Sequence, residues 1–522
     1  MLTRSIMTSL LVLLSLSAPA LAQEPAATPQ ASQEVVPLRL EDVVALAGRH
    51  APALRQARLS ALATEGGVVE AGGMFDPVFF ADLTYSYLEQ PTSGFFSTFF
   101  SETETTTVTA NQGLRGMLLS GATYEVSLRE QDQSANFLAD DQADVSFSAS
   151  FTQPLLRGGW ELVTEQQRRT AEYSREESYE AVRQAASDSV QEAVDAYWDL
   201  LFAMEDVKVK EFGVKLAEES KAVTEARFKV GSVAEVEVVQ TEAEIANRED
   251  QLLTARNTVR QAQDRLRLLI TEFDSQDGND WAIDFQPISE LPEAVATTMN
   301  WEDALDVALE ERADLRQARV QVRQAELDWQ VAQRNTDPKL DLVLSGNSFG
   351  QDTAVGGAFT PVRQFEFPGY SIGLVFEIPL GNRSFRGAEA RTRATYLLRL
   401  QGLQVLQNQI ASEVRDAVRA VNFFSERVAT TARAKRVAAR QLDAEQRRLR
   451  EGVSTNFQVL QFQDDLLAAQ SAELAALTSY AKAVTKLNTV RGLQWDGARI
   501  DLADSDELEQ EAERREQAES QR

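Results

Sequence analysis

Two hydrophobic periods divide this chain, and each occurs in two separate places. In the first, apolar and polar residues alternate. Val145, Phe147, Ala149 and Phe151 are interleaved with Ser146, Ser148, Ser150 and Thr152. Phe79, Ala81, Leu83, Tyr85 and Tyr87 enclose Asp82, Thr84 and Ser86, and the alternation returns at Ala122, Tyr124, Val126 and Leu128. It appears again at Tyr370, Ile372, Leu374, Phe376 and Ile378. A period of two with one apolar and one Ser/Thr-rich face predicts strands whose faces meet different surroundings. A sandwich core writes such a pattern, and so does a lipid-facing barrel wall around a wet lumen.

The second period steps by three and four. From Glu161 to Lys229 it runs through Val182, Ala186, Val190, Ala193, Tyr197, Leu200, Met204 and Val207. Ile410, Val414, Ala417, Val421, Phe424 and Val428 repeat it, and neither run contains proline. At ~1.5 Å per residue, such helices are rods of roughly 100 Å, which predicts a coiled coil or helical barrel. Each rod is expected to turn at a glycine, Gly231 or Gly452, and to return over Ala234–Phe273 or Asn456–Arg491.

The chain is written twice. Glu41-Asp42, Leu54-Arg55-Gln56-Ala57-Arg58 and Asp76-Pro77 recur as Glu302-Asp303, Leu315-Arg316-Gln317-Ala318-Arg319 and Asp337-Pro338, all at an offset of 261. Pro154-Leu155 then matches Pro379-Leu380 at 225, and Arg227–Gly231 matches Arg448–Gly452 at 221. Five matches in one order establish an internal repeat. The first copy therefore carries an insert between its Asp-Pro and its strand-ending proline. The predicted plan of each copy is a helix (Leu40–Gly72; Trp301–Arg334), strands (77–154; 338–379) and a long hairpin, so the copies span 38–273 and 301–495, joined by 274–300.

Composition narrows the chemistry. There is no Cys and one His, His50, which disfavours thiol catalysis, zinc-thiolate sites and a Ser-His-Asp triad. His50 stands on a helical pattern just before Ala51-Pro52, and we assign it no metal. Phosphate loops and nucleophile elbows are absent, so no catalytic residue, cofactor or enzyme activity is expected. Eighty acidic against 52 basic residues give a net charge of −28, which repels nucleic acid. Met1–Ala22, with Arg4, the Leu10–Leu14 run and Ala20-Leu21-Ala22, reads as a secretory signal, followed by a Pro/Ala-rich linker over 23–37. The acidic stretch 496–522 is expected to be a disordered tail.

A chain with only a few strands cannot close a barrel in lipid, where an open edge leaves N–H and C=O groups unpaired. Either the strands form a soluble sandwich or several chains pool them. At this point the sequence resembles the TolC-like outer membrane efflux proteins over about Pro37–Trp495. The resemblance rests on the duplicated plan, on Asp-Pro entering the strands, on Gln153–Gly159 leaving them, and on the hairpin motif Arg227–Val236. It implies an α+β membrane protein: a homotrimer pooling four strands per chain into a 12-stranded outer-membrane barrel, continued by a periplasmic coiled-coil barrel. It further implies a passive exit duct of a tripartite efflux or type I secretion system. Its partners would be outer-membrane lipid, a periplasmic membrane-fusion adaptor and an inner-membrane pump. The adaptor-docking tips would be Gly231, Ser232, Val233, Gly452, Val453 and Ser454.

Two departures from that family stand out. The span 77–154 has room for a further hairpin, with Thr105–Asn111 and Ala122–Glu130 as its strands. In some relatives acidic rings close the tunnel six and nine residues past the second tip glycine. Here Gln458 and Gln461 stand there, while the first tip carries Glu235 and Glu237, so these four are the candidate gate. Both glycines also fit ordinary helix caps, and the aromatic run Phe95–Phe100 fits an extracellular loop or a lipid-contacting hairpin end. The competing reading is a secreted or surface coiled-coil structural protein with a soluble β head, which would not need the strand–helix plan twice.

Overall fold

A computed structural model describes residues 35–91, 102–136, 138, 140–271, 283–294 and 300–493. The expected leader, the part of the expected linker before Val35, the aromatic run Phe95–Phe100, most of the expected connecting segment and the expected tail lie outside the described residues. Strand β1 (Val35–Leu38) takes up the last linker residues and pairs in parallel with β6 (Asp284–Pro287), its counterpart ahead of the second copy.

Each copy opens with a helix that breaks once. Helix α1 (Leu40–His50) gives way to α2 (Pro52–Gly72), and α6 (Trp301–Glu311) to α7 (Ala313–Arg334). The expectation of one unbroken helix per copy is corrected here, and the causes differ. Ala51 is extended (ψ 124°) because Pro52 disfavours a helical residue before it. Arg312 is extended (ψ 126°) without a proline; its guanidinium binds Asp314, Glu413 at 2.7 Å and the Val490 carbonyl at 3.4 Å. The repeat-related Leu54 and Leu315, just after each break, are both fully buried.

Strands β2 (Val78–Pro91), β3 (Glu102–Met117), β4 (Thr123–Ala135), β5 (Gln142–Pro154), β7 (Lys339–Asp352) and β8 (Pro368–Glu377) form one antiparallel sheet in that order. Pairing of β5 with β7 joins the two copies in a single sheet. The α+β plan is as expected, but the described residues place six strands in the sheet rather than the expected four. The insert inferred from the shrinking repeat offset is one extra up-and-down pair.

Register preserves the two faces across all six strands. Phe79, Leu114, Val126 and Ala149 share one row, and Leu344 stands beside Ile372 on the same face. The other face carries cross-strand polar pairs: Ser127 with Ser148 at 2.7 Å, Ser345 with Ser371 at 2.8 Å, and Asn111 donating to Asp82 at 3.2 Å. Apolar side chains at the sheet edges stand bare, Tyr370 at 88 % and Leu83 at 75 % of full exposure.

One helix, α8 (Val355–Gln364), was not foreseen. It lies on the apolar face near the end of the sheet remote from the long helices, where Ala358 and Val362 pack on Val145 beside Leu128 and Phe147. Gly350 permits the approach, since a Cβ there would stand 2.1 Å from the Ala358 carbonyl oxygen.

The rods follow. After the short α3 (Glu161–Thr164), α4 (Gln166–Lys229) has 64 residues and α9 (Arg383–Arg450) has 68, each roughly 100 Å long. Their return helices α5 (Glu235–Ile270) and α10 (Asn456–Val490) complete two hairpins that pack through α4 and α10. The main core lies midway, around the fully buried Tyr197. Its hydroxyl donates to the Leu38 carbonyl at 3.2 Å and accepts the Ser289 N–H at 3.0 Å, tying the ends of β1 and β6 to α4.

Candidate functional site

The two hairpins end side by side. The Arg227 guanidinium donates to the Leu449 carbonyl at 3.0 Å, and the Asn456 amide donates to the Thr224 hydroxyl at 2.9 Å. Each turn closes in the same way. Gly231 and Gly452 have φ of 75° and 80°, the left-handed region that glycine enters without a Cβ clash. The Ser232 N–H reaches back to the Arg227 carbonyl and the Gly231 N–H to Phe228, at 2.9 and 2.8 Å. Val453 does the same to Arg448 and Gly452 to Leu449, at 3.0 and 3.1 Å. This pair of bonds satisfies carbonyls that a helix end would otherwise orphan. A Cβ would meet nothing within 4 Å at either position, so conformation rather than space requires glycine.

At the second tip Val453 is bare, 62 % exposed, beside the half-buried Ser454. At the first, Ser232 is exposed while Val233 is half-buried. The bare valine of that turn is Val230, one residue before the glycine and 75 % exposed, which the sequence reading did not single out.

Of the four gate candidates, Glu235 and Glu237 lie in the first turn of α5, where carboxylates meet the positive end of the helix dipole. Gln458 is engaged in a capping box: its side chain accepts the Thr455 N–H, and its own N–H donates to the Thr455 hydroxyl, both at 3.4 Å. Gln461 is exposed on the next turn. The buried Glu445 accepts from Arg448 at 3.1 Å and from the Ser454 hydroxyl, bracing the second turn from within.

Above the tips, the seam between the hairpins is polar. Gln463, 1 % exposed, donates to the Ser220 hydroxyl at 3.0 Å. Arg248 of α5, 3 % exposed, is the hub. It binds Glu244 at 2.6 Å, the Gly213 carbonyl at 2.9 Å, Asp464 of α10 at 3.0 Å and Gln463 at 3.3 Å. Partial desolvation against the seam and the neighbouring Glu244 push the carboxyl of Asp464, whose side chain still reaches water, above its ordinary value against the pull of Arg248. The sequence reading passed over Arg248. Its signal was spacing: the buried Thr241, Arg248 and Ala255 recur every seven residues, which sets an arginine into a heptad seam.

Further up α4, the half-buried Asp195 has one buried carboxylate oxygen unpaired, and desolvation raises its pKa above the ordinary value despite Lys482. Among the described residues, no group of three or more His, Asp or Glu is placed to hold a metal ion. No helix among them is long and apolar enough to cross a membrane. The arrangement offers surfaces: an apolar sheet face, a Ser-rich sheet face and a pair of glycine-turned tips.

Comparison with known proteins agrees with this geometry. The family model of the outer membrane efflux proteins matches residues 121–272 and 304–493. The pyoverdine export outer membrane protein OpmQ of Pseudomonas aeruginosa is 25 % identical over 320 residues, 60 % of this chain and 63 % of the relative's length. Among solved structures, the Campylobacter jejuni CmeC outer membrane channel aligns at a TM-score of 0.63 and 16 % identity, covering 90 % of this chain and 88 % of that one. The outer membrane protein VceC of Vibrio cholerae aligns at 0.62 and 18 % identity, covering 88 % of this chain and 97 % of its own.

Proposed function

From the premise that this chain belongs to the outer membrane efflux protein family, we propose that it is the passive outer-membrane exit duct of a tripartite export system. One observation carries the reading furthest. A sheet whose apolar face is bare beyond the patch under α8 stands at one end of two hairpins of roughly 100 Å, whose glycine turns meet at the other end. An apolar sheet face bare to water is unstable, whereas in lipid it is the solvated face. The free edges of the sheet call for further copies, and three copies supply twelve long helices for the tunnel wall.

In this reading Gly231, Ser232, Val233, Gly452, Val453 and Ser454 present the tips to a periplasmic adaptor, itself bound to an inner-membrane pump. The Ser-rich sheet face lines a wet lumen, and cargo selection lies with the pump. Glu235 and Glu237 place negative charge at the first tip, while Gln458 and Gln461 leave the second without it.

The test replaces Val233 and Val453 together by Asp. Both lie far from the sheet, so trimer and barrel should form at normal abundance. Export should fail, because two unpaired charges would be buried against the adaptor. Normal export at normal abundance would remove the tips from the docking role. Recovery of the wild-type chain from the medium or the soluble periplasm, rather than from detergent-extracted outer membrane, would sink the duct reading itself.

A further inference from the structure

The two edges of the sheet carry an inference that rests on the exit-duct reading and goes past it. Strand β2 leaves the helical end of the chain directly after α2, and β8 returns to that end just before α9. The edges therefore run in opposite directions, and β8 of one copy meets β2 of the next as an antiparallel pair. Among the described residues nothing pairs with or covers either edge: every residue of β8 is exposed except Gly369, and every residue of β2 except Phe80. In hydrocarbon, both rows of N–H and C=O groups require partners. We propose that three copies close through β8–β2 contacts into an eighteen-stranded wall, half as many strands again as the twelve that the family resemblance implies.

Three observations support this count. The shrinking repeat offset places an insert in the first copy, and the structure shows that insert as strands in unbroken ladders with the rest of the sheet. The family match begins at residue 121, past β2 and β3. The third is perimeter. Strands ~4.8 Å apart and tilted by ~40° each occupy roughly 6 Å of circumference. Six such strands span about 38 Å, close to the roughly 36 Å of four helices packed ~9 Å apart. Four strands would span only about 25 Å by the same spacing. Six strands per chain continue the tunnel wall without narrowing, and barrel width grows about linearly with strand number, so the mouth is about 1.5-fold wider than a twelve-stranded one.

The absence of cysteine gives a clean background for a test in native outer membranes. Ile372→Cys or Leu374→Cys in β8 is combined with Ala81→Cys or Leu83→Cys in β2, or with Val126→Cys or Leu128→Cys in β4. Within one chain β5 and β7 separate β8 from β4. Oxidation should give dimer and trimer bands on denaturing gels for β8–β2 combinations and none for β8–β4. An electron cryo-microscopy map of the same trimer should show eighteen strands. Bands for β8–β4, or a twelve-stranded map with β2 and β3 outside the wall, would overturn the count while leaving the exit duct standing. A chain that forms no trimer would overturn the exit-duct reading as well.

Discussion

Replacing Arg248 by Met keeps most of the side-chain stem and removes the charge that joins the two hairpins above the tips. Four groups lose a donor: Glu244, Asp464, the Gly213 carbonyl and the Gln463 side chain. Removing one partner of a fully buried ion pair costs about 3–5 kcal/mol. Here the Asp464 side chain is 57 % exposed and that of Glu244 is 21 % exposed. Both carboxylates can turn to water, and Gln463 keeps its bond to Ser220. Discounting the exposed partners leaves about 2–3 kcal/mol for the substitution, most of it from Glu244 and the Gly213 carbonyl.

That loss falls on one stretch of the hairpins, so a local probe is the right assay. Amide hydrogen exchange of the assembled protein reports opening free energy segment by segment. A loss of 2–3 kcal/mol corresponds to roughly 30- to 150-fold faster exchange. It should appear in the tip-proximal halves of α5 and α10 and leave the Tyr197 core unchanged. Exchange within about threefold of wild type in those segments would show that water already satisfies the groups around Arg248, and the clamp would be discarded.

Tyr197→Phe leaves the half-buried Ser289 N–H without its partner, while the Leu38 carbonyl keeps the Ile288 N–H at 3.1 Å, and should cost about 1–2 kcal/mol in denaturant unfolding; a loss under about 0.5 kcal/mol would mean that the hydroxyl is dispensable. Gly231→Ala and Gly452→Ala should each cost about 1–2 kcal/mol of local stability from the left-handed backbone alone, read as faster exchange at the turns, because a Cβ finds open space at both positions. Burial holds the Asp195 carboxyl above its ordinary value, so the folded chain keeps that proton at pH values where the unfolded chain has lost it. Its contribution to stability therefore falls as pH rises through the window just above the ordinary carboxylate range. Asp195→Asn should flatten that slope and raise Tm at neutral pH, and an unchanged pH profile would contradict the raised value.

Most of the architecture was legible because it rests on period. Alternation at Phe79–Tyr87 and Val145–Thr152 and the three–four stepping from Val182 to Val207 are local signals that packing reinforces, and the structure places strands and a helix there. The breaks at Ala51 and Arg312 show where local signals stop. Pro52 advertises the first in the sequence, whereas the second depends on Glu413 and Val490, which lie 101 and 178 residues away. Helix α8 was hidden for a similar reason. Val355-Gly356-Gly357-Ala358 is a poor helix on propensity and is held by Val145 and Phe147 of a strand that the chain laid down two hundred residues earlier. Arg248 was masked by its own chemistry, since a charged residue inside a charged helix reads as solvated until the heptad spacing of Thr241, Arg248 and Ala255 is noticed.

The strand count divides along the same line. Arithmetic on the repeat offsets exposes an insert in the first copy, and its alternation announces strands, but neither says where those strands go. A hairpin added beside a sheet and a hairpin folded away from it have the same period and the same turn residues. What separates them is the partner of each edge, a property of pairs of strands. β3 bonds to both β2 and β4 along its length, so the added pair lies inside the ladder and moves the free edge outward to β2. The edge that must meet a neighbouring copy is thereby changed without altering either long hairpin. The wall can widen in the membrane while the tunnel and its paired tips keep their construction.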